Sequence, residues 1–209
     1  MFQSTVQRNY TIGFAGQVLK DGPLRAKAAR ITSATVGTDP AASTNRISRA
    51  FGYAGEMPSV GTTQAMLDAK VAVGGPTFFG VLFHPKHYAL LGTVSGGPLA
   101  ASYDLPQDSE GEFTDMVTGL VAELFNETTS SKTMNFGDQV AYCPNNIASP
   151  GTNNAQAVPY GGLISVAAGA SVPTGFILIP NARIINTSTI GASAAGAAVS
   201  GLSVIQLTQ

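Results

Sequence analysis

The stretch Asn135-Phe136-Gly137-Asp138-Gln139-Val140-Ala141-Tyr142 decides the reading of the fold. Phe136, Val140 and Tyr142 are β-prone, and Gly137-Asp138 supplies a turn that feeds them into a strand. Beyond it the chain changes character. From Ala141 to Gln209 the only charged side chain is Arg183, and the rest is largely Gly, Ala, Ser, Thr, Asn and short apolar runs. That composition suits tightly turned β-structure.

Downstream, Leu163-Ile164-Ser165-Val166, Gly175 to Ile179, Ala182 to Ile185 and Leu202 to Leu207 are short strand candidates. Polar or small-residue loops over 145–158 and 191–201 separate them from their neighbours. Upstream, Thr77-Phe78-Phe79-Gly80-Val81-Leu82-Phe83 is continuous and aromatic, as a buried strand is. Val71-Ala72-Val73 before it, and Ala89 to Thr93 after it, are shorter candidates. Turn signals every 8–12 residues indicate a mainly β chain, a β-sandwich or jelly-roll-like barrel.

One segment reads two ways. Ser109-Glu110-Gly111-Glu112 matches a helix capping box, and Phe113, Met116, Val117, Leu120, Val121 and Leu124 fall at helical spacing. Thr114, Thr118 and Gly119 weaken a helix, and the β-rich surroundings favour strands. Residues 1–30 hold Gly13, Gly16, Gly22 and Pro23 and show no core period. They read as an extended N-terminal arm ahead of a β-rich domain over 31–209. Gly13-Phe14-Ala15-Gly16-Gln17 is echoed by Gly52-Tyr53-Ala54-Gly55-Glu56, read as two similar turns that each expose an aromatic.

Length and composition bound the class. A chain of 209 residues buries enough surface to need no staples, and its single cysteine, Cys143, excludes an internal disulfide. Charged residues make up 11% against a usual level of about 25%. No apolar run is long enough to span a membrane as a helix. The start Met1-Phe2-Gln3-Ser4-Thr5 lacks the basic and apolar regions of a signal peptide. The expected location is the cell that makes the chain, or a particle assembled there.

The charge is uneven. Residues 1–50 carry Arg8, Lys20, Arg25, Lys27, Arg30, Arg46 and Arg49 against Asp21 and Asp39, a net +5. Residues 101–140 carry Asp104, Asp108, Glu110, Glu112, Asp115, Glu123, Glu127 and Asp138 against Lys132, a net −7. Opposed segments attract, within one chain or between neighbours. A cyclic head-to-tail homo-oligomer, a trimer rather than a dimer, is the expectation drawn from this opposition.

Catalytic and cofactor motifs do not emerge. His84 and His87 are the only histidines, Pro85 disfavours a helix that would aim both at one metal, and no second cluster completes a set. There is no Gly-x-Ser-x-Gly elbow, dinucleotide fingerprint or phosphate loop. The eight acids of 101–140 could include an acid/base pair, but the usual tryptophan sugar platform is missing. The basic residues of 1–50 lack a stacking motif for nucleic acid. The expectation is therefore no enzyme, no cofactor, no metal, no nucleic acid and no membrane.

Three stretches in order resemble the structural cement (decoration) proteins of tailed-bacteriophage capsids. They are Gly13-Phe14-Ala15-Gly16-Gln17; Val71-Ala72-Val73-Gly74 with Phe79-Gly80-Val81-Leu82; and Gly119-Leu120-Val121 with Gly137-Asp138-Gln139-Val140-Ala141-Tyr142. The closing Ser200-Gly201-Leu202-Ser203-Val204-Ile205 fits such a family's last strand. The resemblance implies strand–Gly–strand for the ambiguous segment, Phe113 to Val117 then Leu120 to Phe125. It further implies a virion protein made in the host cytoplasm, bound to the outer surface of the major capsid protein shell and bridging neighbouring subunits. Ile12, Phe14, Val18 and Leu19, with Arg25, Lys27 and Arg30, are the candidate contacts with other copies or the capsid. A tail-fibre or receptor-binding module for host polysaccharide is the alternative, and it calls for aromatics on loops 145–158 and 191–201, which carry none.

Overall fold

The computed structural model describes residues 13–19, 22–33, 45–54, 70–83, 105, 107–145, 158–192 and 199–208. Outside them lie Ile12, the histidines, the Ala89–Thr93 candidate and most of the 145–158 and 191–201 loops. The protein is mainly β, as expected, and no helix occurs among the described residues. Its strands are β1 (Leu24–Ile31), β2 (Ala50–Tyr53), β3 (Lys70–Val73), β4 (Phe78–Leu82), β5 (Glu110–Phe125), β6 (Lys132–Met134), β7 (Gln139–Tyr142), β8 (Leu163–Val166), β9 (Ile177–Ile184), β10 (Ser188–Ile190) and β11 (Ser200–Leu207).

Nine of these form one sheet in the order β1-β3-β2-β4-β5-β11-β9-β7-β8, with further pairings β1–β5 and β5–β8. Those two pairings close the sheet on itself twice. One circuit is β5-β1-β3-β2-β4, the other β5-β11-β9-β7-β8, and β5 belongs to both. The expected sandwich or jelly-roll-like barrel is thus refined to two joined circuits, with β6 and β10 as a separate antiparallel pair.

The strand β5 answers the ambiguity of 109–126. It is one strand of 16 residues, not a helix and not two strands broken at Gly119. Its groups are used by its neighbours: Val121 N–H donates to the Gln17 carbonyl, and the Glu112 carbonyl accepts from Phe83 N–H. The helical spacing misled because β5 packs on both faces, so apolar residues accumulate without strict alternation. Gly119 lies in the β11 pairing where the register slips between Ile205 and Leu207, opposite Leu120 and Val117. Similarly, the runs 175–179 and 182–185 merge into β9 through an irregularity at Pro180-Asn181, where Asn181 has φ 55°.

The core follows the circuits. In the first, Ile31, Phe51, Val71, Phe79, Leu82 and Phe113 pack together, with Phe113 edge-on to Phe51 at 4.9 Å and to Phe79 at 5.5 Å. In the second, Leu120, Leu124, Val140, Tyr142, Leu163, Ile184 and Ile205 do so. The Tyr142 hydroxyl reaches back across the seam and donates to the Gly75 carbonyl at 2.8 Å. Burial pushes the Tyr142 phenol up to about 12, so it stays a neutral donor.

The opening stretch behaves largely as read. Asp138 N–H donates to the Asn135 carbonyl at 3.1 Å, the Asp138 carboxylate accepts from Asn135 N–H at 2.8 Å, and β7 follows. Phe136 departs from the reading: it sits in the turn, not the strand. The echo at 52–56 also differs, because Tyr53 is in β2 against the Phe79 ring and is not exposed as Phe14 is.

At Gly52 the backbones of β2 and of the turn after β3 touch. A Cβ there would lie 2.6 Å from the Thr77 carbonyl oxygen and closer still to that of Gly75. Gly52→Ala should therefore lower stability by about 3 kcal/mol, at the upper end of overpacking costs. Urea unfolding checks it: the midpoint should fall with an unchanged slope.

Candidate functional site

The residues singled out near the N-terminus lie along β5 of their own chain. Residues 24–30 are part of β1, paired antiparallel with β5 from Leu24↔Val117 to Arg30↔Glu110. The boundary expected at residue 30 therefore falls inside a sheet strand, and 24–30 are not arm. Residues 13–19 continue along the same edge. Gly16 N–H donates to the Val121 carbonyl, Val121 N–H to the Gln17 carbonyl, Leu19 N–H to the Gly119 carbonyl, and Val18 bridges Leu120.

Along this course three apolar side chains are still reached by water: Phe14 is 42% exposed, Leu19 42% and Leu24 46%; Leu19 N–H bonds the Gly119 carbonyl and Leu24 pairs with Val117. Leu24 was not among the sequence candidates, although its place directly after Pro23 at the start of a strand is legible. Val18 is half-buried and packs on the second core. Large exposed hydrophobics among the described residues comprise these three and Phe136.

The cations do something other than wait for a partner subunit. Between Arg25 and Ala26 the register slips, leaving Asp115 as the extra residue of a β-bulge on β5. The bulge sets its carboxylate beside two bases. Arg25 donates through Nε and Nη2 at 2.7 Å each, and Lys27 Nζ lies 2.7 Å away. Lys27 also donates to the Phe79 carbonyl at 2.6 Å and sits 4.1 Å over that ring. Arg30 pairs with Asp108 at 2.9 Å. Near the joint of the circuits, Arg49, 1% exposed, pairs with Glu123 at 3.3 Å and covers the Phe125 ring, and Arg46 approaches the same carboxylate at 3.9 Å.

Five bases of the positive segment thus meet three acids of the negative one inside a single chain. The opposition seen in the sequence is satisfied within the fold, and it no longer argues for a head-to-tail ring. Burial acts to raise the Asp115 carboxyl, but hydrogen bonds from Arg25 and Lys27, with their charges, outweigh it and hold it below the usual carboxylate range.

Among the described residues, no three His, Cys, Asp or Glu side chains gather as a metal set. Cys143 is buried, and burial pushes its thiol up to about 12, the opposite of an activated nucleophile.

Two outcomes follow. The depressed Asp115 value favours the fold above the ordinary aspartate pKa, and this is lost as pH falls through the lower folded value. Asp115→Asn should cost about 2 kcal/mol at pH 7 and flatten the acid side of the stability curve, as followed by denaturant unfolding from pH 7 to 2. Cys143 should resist a thiol reagent at pH 8 in the folded protein and react at once in denaturant.

Comparison with known proteins places the chain. One similar solved chain comes from the capsid of Myoviridae phage XM1; it is 13% identical, with 100% of this chain and 98% of that chain covered and a TM-score of 0.49. No curated protein matches. Residues 2–208 match the structural cement protein family (E217 gp24/Pam3 gp6). The chain belongs to that family and is a structural protein of the phage virion.

Proposed function

We propose that the protein binds the outer surface of the major capsid shell and bridges neighbouring capsid subunits, without catalysing a reaction. The observation that carries this reading is the row of Phe14, Leu19 and Leu24 along β5, half-exposed on a backbone fixed by hydrogen bonds. An apolar row held in place loses little entropy on docking. Three such side chains fall short of the roughly 800 Å² per partner of a stable contact. We assign the rest to an arm of residues 2–12, Ile12 included, on the neighbouring subunit.

Arg25 and Arg30 flank the row and are partly exposed despite their pairs. Exposed pairs contribute only about 0–1 kcal/mol, so these cations orient an approach rather than hold it. Self-association into a homo-oligomer, a trimer rather than a dimer, now draws its support from the apolar row alone. A monomeric wild type in light scattering removes it.

The test is attachment to empty expanded capsids, measured by co-sedimentation, with unexpanded precursors as the comparison. Wild type should bind the expanded form selectively. Deleting residues 2–12 should weaken attachment more than it lowers the melting temperature. Phe14→Ser with Leu19→Ser should abolish attachment at any salt concentration.

A further inference from the structure

In the stretch Gly13-Phe14-Ala15-Gly16-Gln17, residues 14–17 form a β-turn. Gln17 N–H donates to the Phe14 carbonyl at 3.1 Å, and Gly16, third of the four turn residues, takes φ 84°. A type II turn requires a positive φ of about 80° at that place, which favours glycine. The Gln17 side chain closes the turn as well, its Oε1 accepting from Phe14 N–H at 3.3 Å. Gly13 holds φ 120°, and a Cβ on it would lie 2.3 Å from that same Oε1. A larger residue at 13 would have to push the carboxamide off Phe14. Two bonds to one residue of β5 then fasten the turn: Gly16 N–H donates to the Val121 carbonyl and Val121 N–H to the Gln17 carbonyl, each at 2.8 Å.

The register shows what the turn prevents. Val18 stands opposite Leu120 in an antiparallel bridge, so a segment that ran on straight would bring Phe14 opposite Leu124. Leu124 is already paired there with Leu163 of β8. Because β11 takes the other edge of β5 over these residues, the segment and β8 would compete for one edge. The turn takes the chain off that edge after Val121, short of β8. Gly13, to which residues 2–12 are joined, is thus held at a fixed place and heading.

Fixing the root of an arm narrows the directions it samples. Less freedom is then lost on docking, and the arm's effective concentration at a partner within its reach rises. We infer that the Gly13–Gln17 turn aims residues 2–12 at the neighbouring capsid subunit, with Gln17 as a positioning residue that acts through the turn and not by touching the partner. This rests on the capsid-binding reading above.

The test measures binding isotherms on empty expanded capsids for wild type, Gln17→Ala, Gln17→Glu and Gly13→Ala, each with and without residues 2–12, and the melting temperature of each free protein. Gln17→Ala removes an exposed bond and should melt within about 2 °C of wild type. It should lose roughly fivefold in apparent affinity, the scale of one hydrogen bond's net effect. Gln17→Glu keeps an acceptor for Phe14 N–H and should bind within about twofold of wild type. Gly13→Ala should lose at least as much as Gln17→Ala. In protein lacking residues 2–12, Gln17→Ala should change nothing, because no arm remains to be aimed. Unchanged affinity of Gln17→Ala in the full chain overturns the inference while leaving capsid binding intact. An equal loss with and without residues 2–12 overturns it too, since the turn would then act through Phe14 itself. So does an equal loss in the Ala and Glu variants together with lowered melting, which shows a structural role. If deleting residues 2–12 alone leaves affinity unchanged, or wild type fails to bind capsids, the underlying reading fails instead.

Discussion

Backbone pairing of β5 on both edges is the constraint on which the rest depends. Residues 110–117 face β1 on one side, with β4 pairing at Phe113 and Thr114 on the other. Residues 117–125 face β11, while residues 13–19 and then β8 cover the opposite edge. A strand satisfied on both edges offers no free hydrogen-bonding row to a stray strand. It also explains why two short-stranded circuits need no disulfide: each core is closed against the same rod.

The same constraint turns the charge pattern inward. Because β1 must lie against β5, its Arg25, Lys27 and Arg30 are carried to Asp115 and Asp108, and the bulge at Asp115 lets one buried carboxylate serve two bases. Among the described residues these charges are committed within the chain, and Phe14, Leu19, Leu24 and Phe136 are the large exposed hydrophobics. For a structural cement protein this is a workable surface.

Legibility in the sequence tracked how local the cause was. The turn at Asn135–Asp138, the aromatic run of β4 and the late strands β8 and β11 were readable because turn residues and β-branched runs act within a few positions. The segment that became β5 was legible as strand only through its β-rich surroundings and the family resemblance, since burial on both faces erases the alternation that marks a strand. The runs 175–179 and 182–185 were read apart where one strand, β9, passes through Pro180-Asn181. Among the candidate residues, Phe14 and Leu19 were legible as exposed apolars, whereas the ion pairs that Arg25, Lys27 and Arg30 make within their own chain were not. Their partners lie 78 to 90 positions away, and nothing in the sequence announces which carboxylate a bulge will present. Phe136 was read as strand because an aromatic beside Val140 and Tyr142 looks like one.

The central claim is that a rigid β5 framework presents the N-terminal row to the capsid without itself changing. Hydrogen exchange of the protein, free and bound to empty expanded capsids, tests it most directly. The account predicts slowed exchange over residues 13–24 on binding, with β5 amides equally protected in both states. Slowed exchange confined to segments away from 13–24, or a loss of protection along β5 on binding, would contradict it.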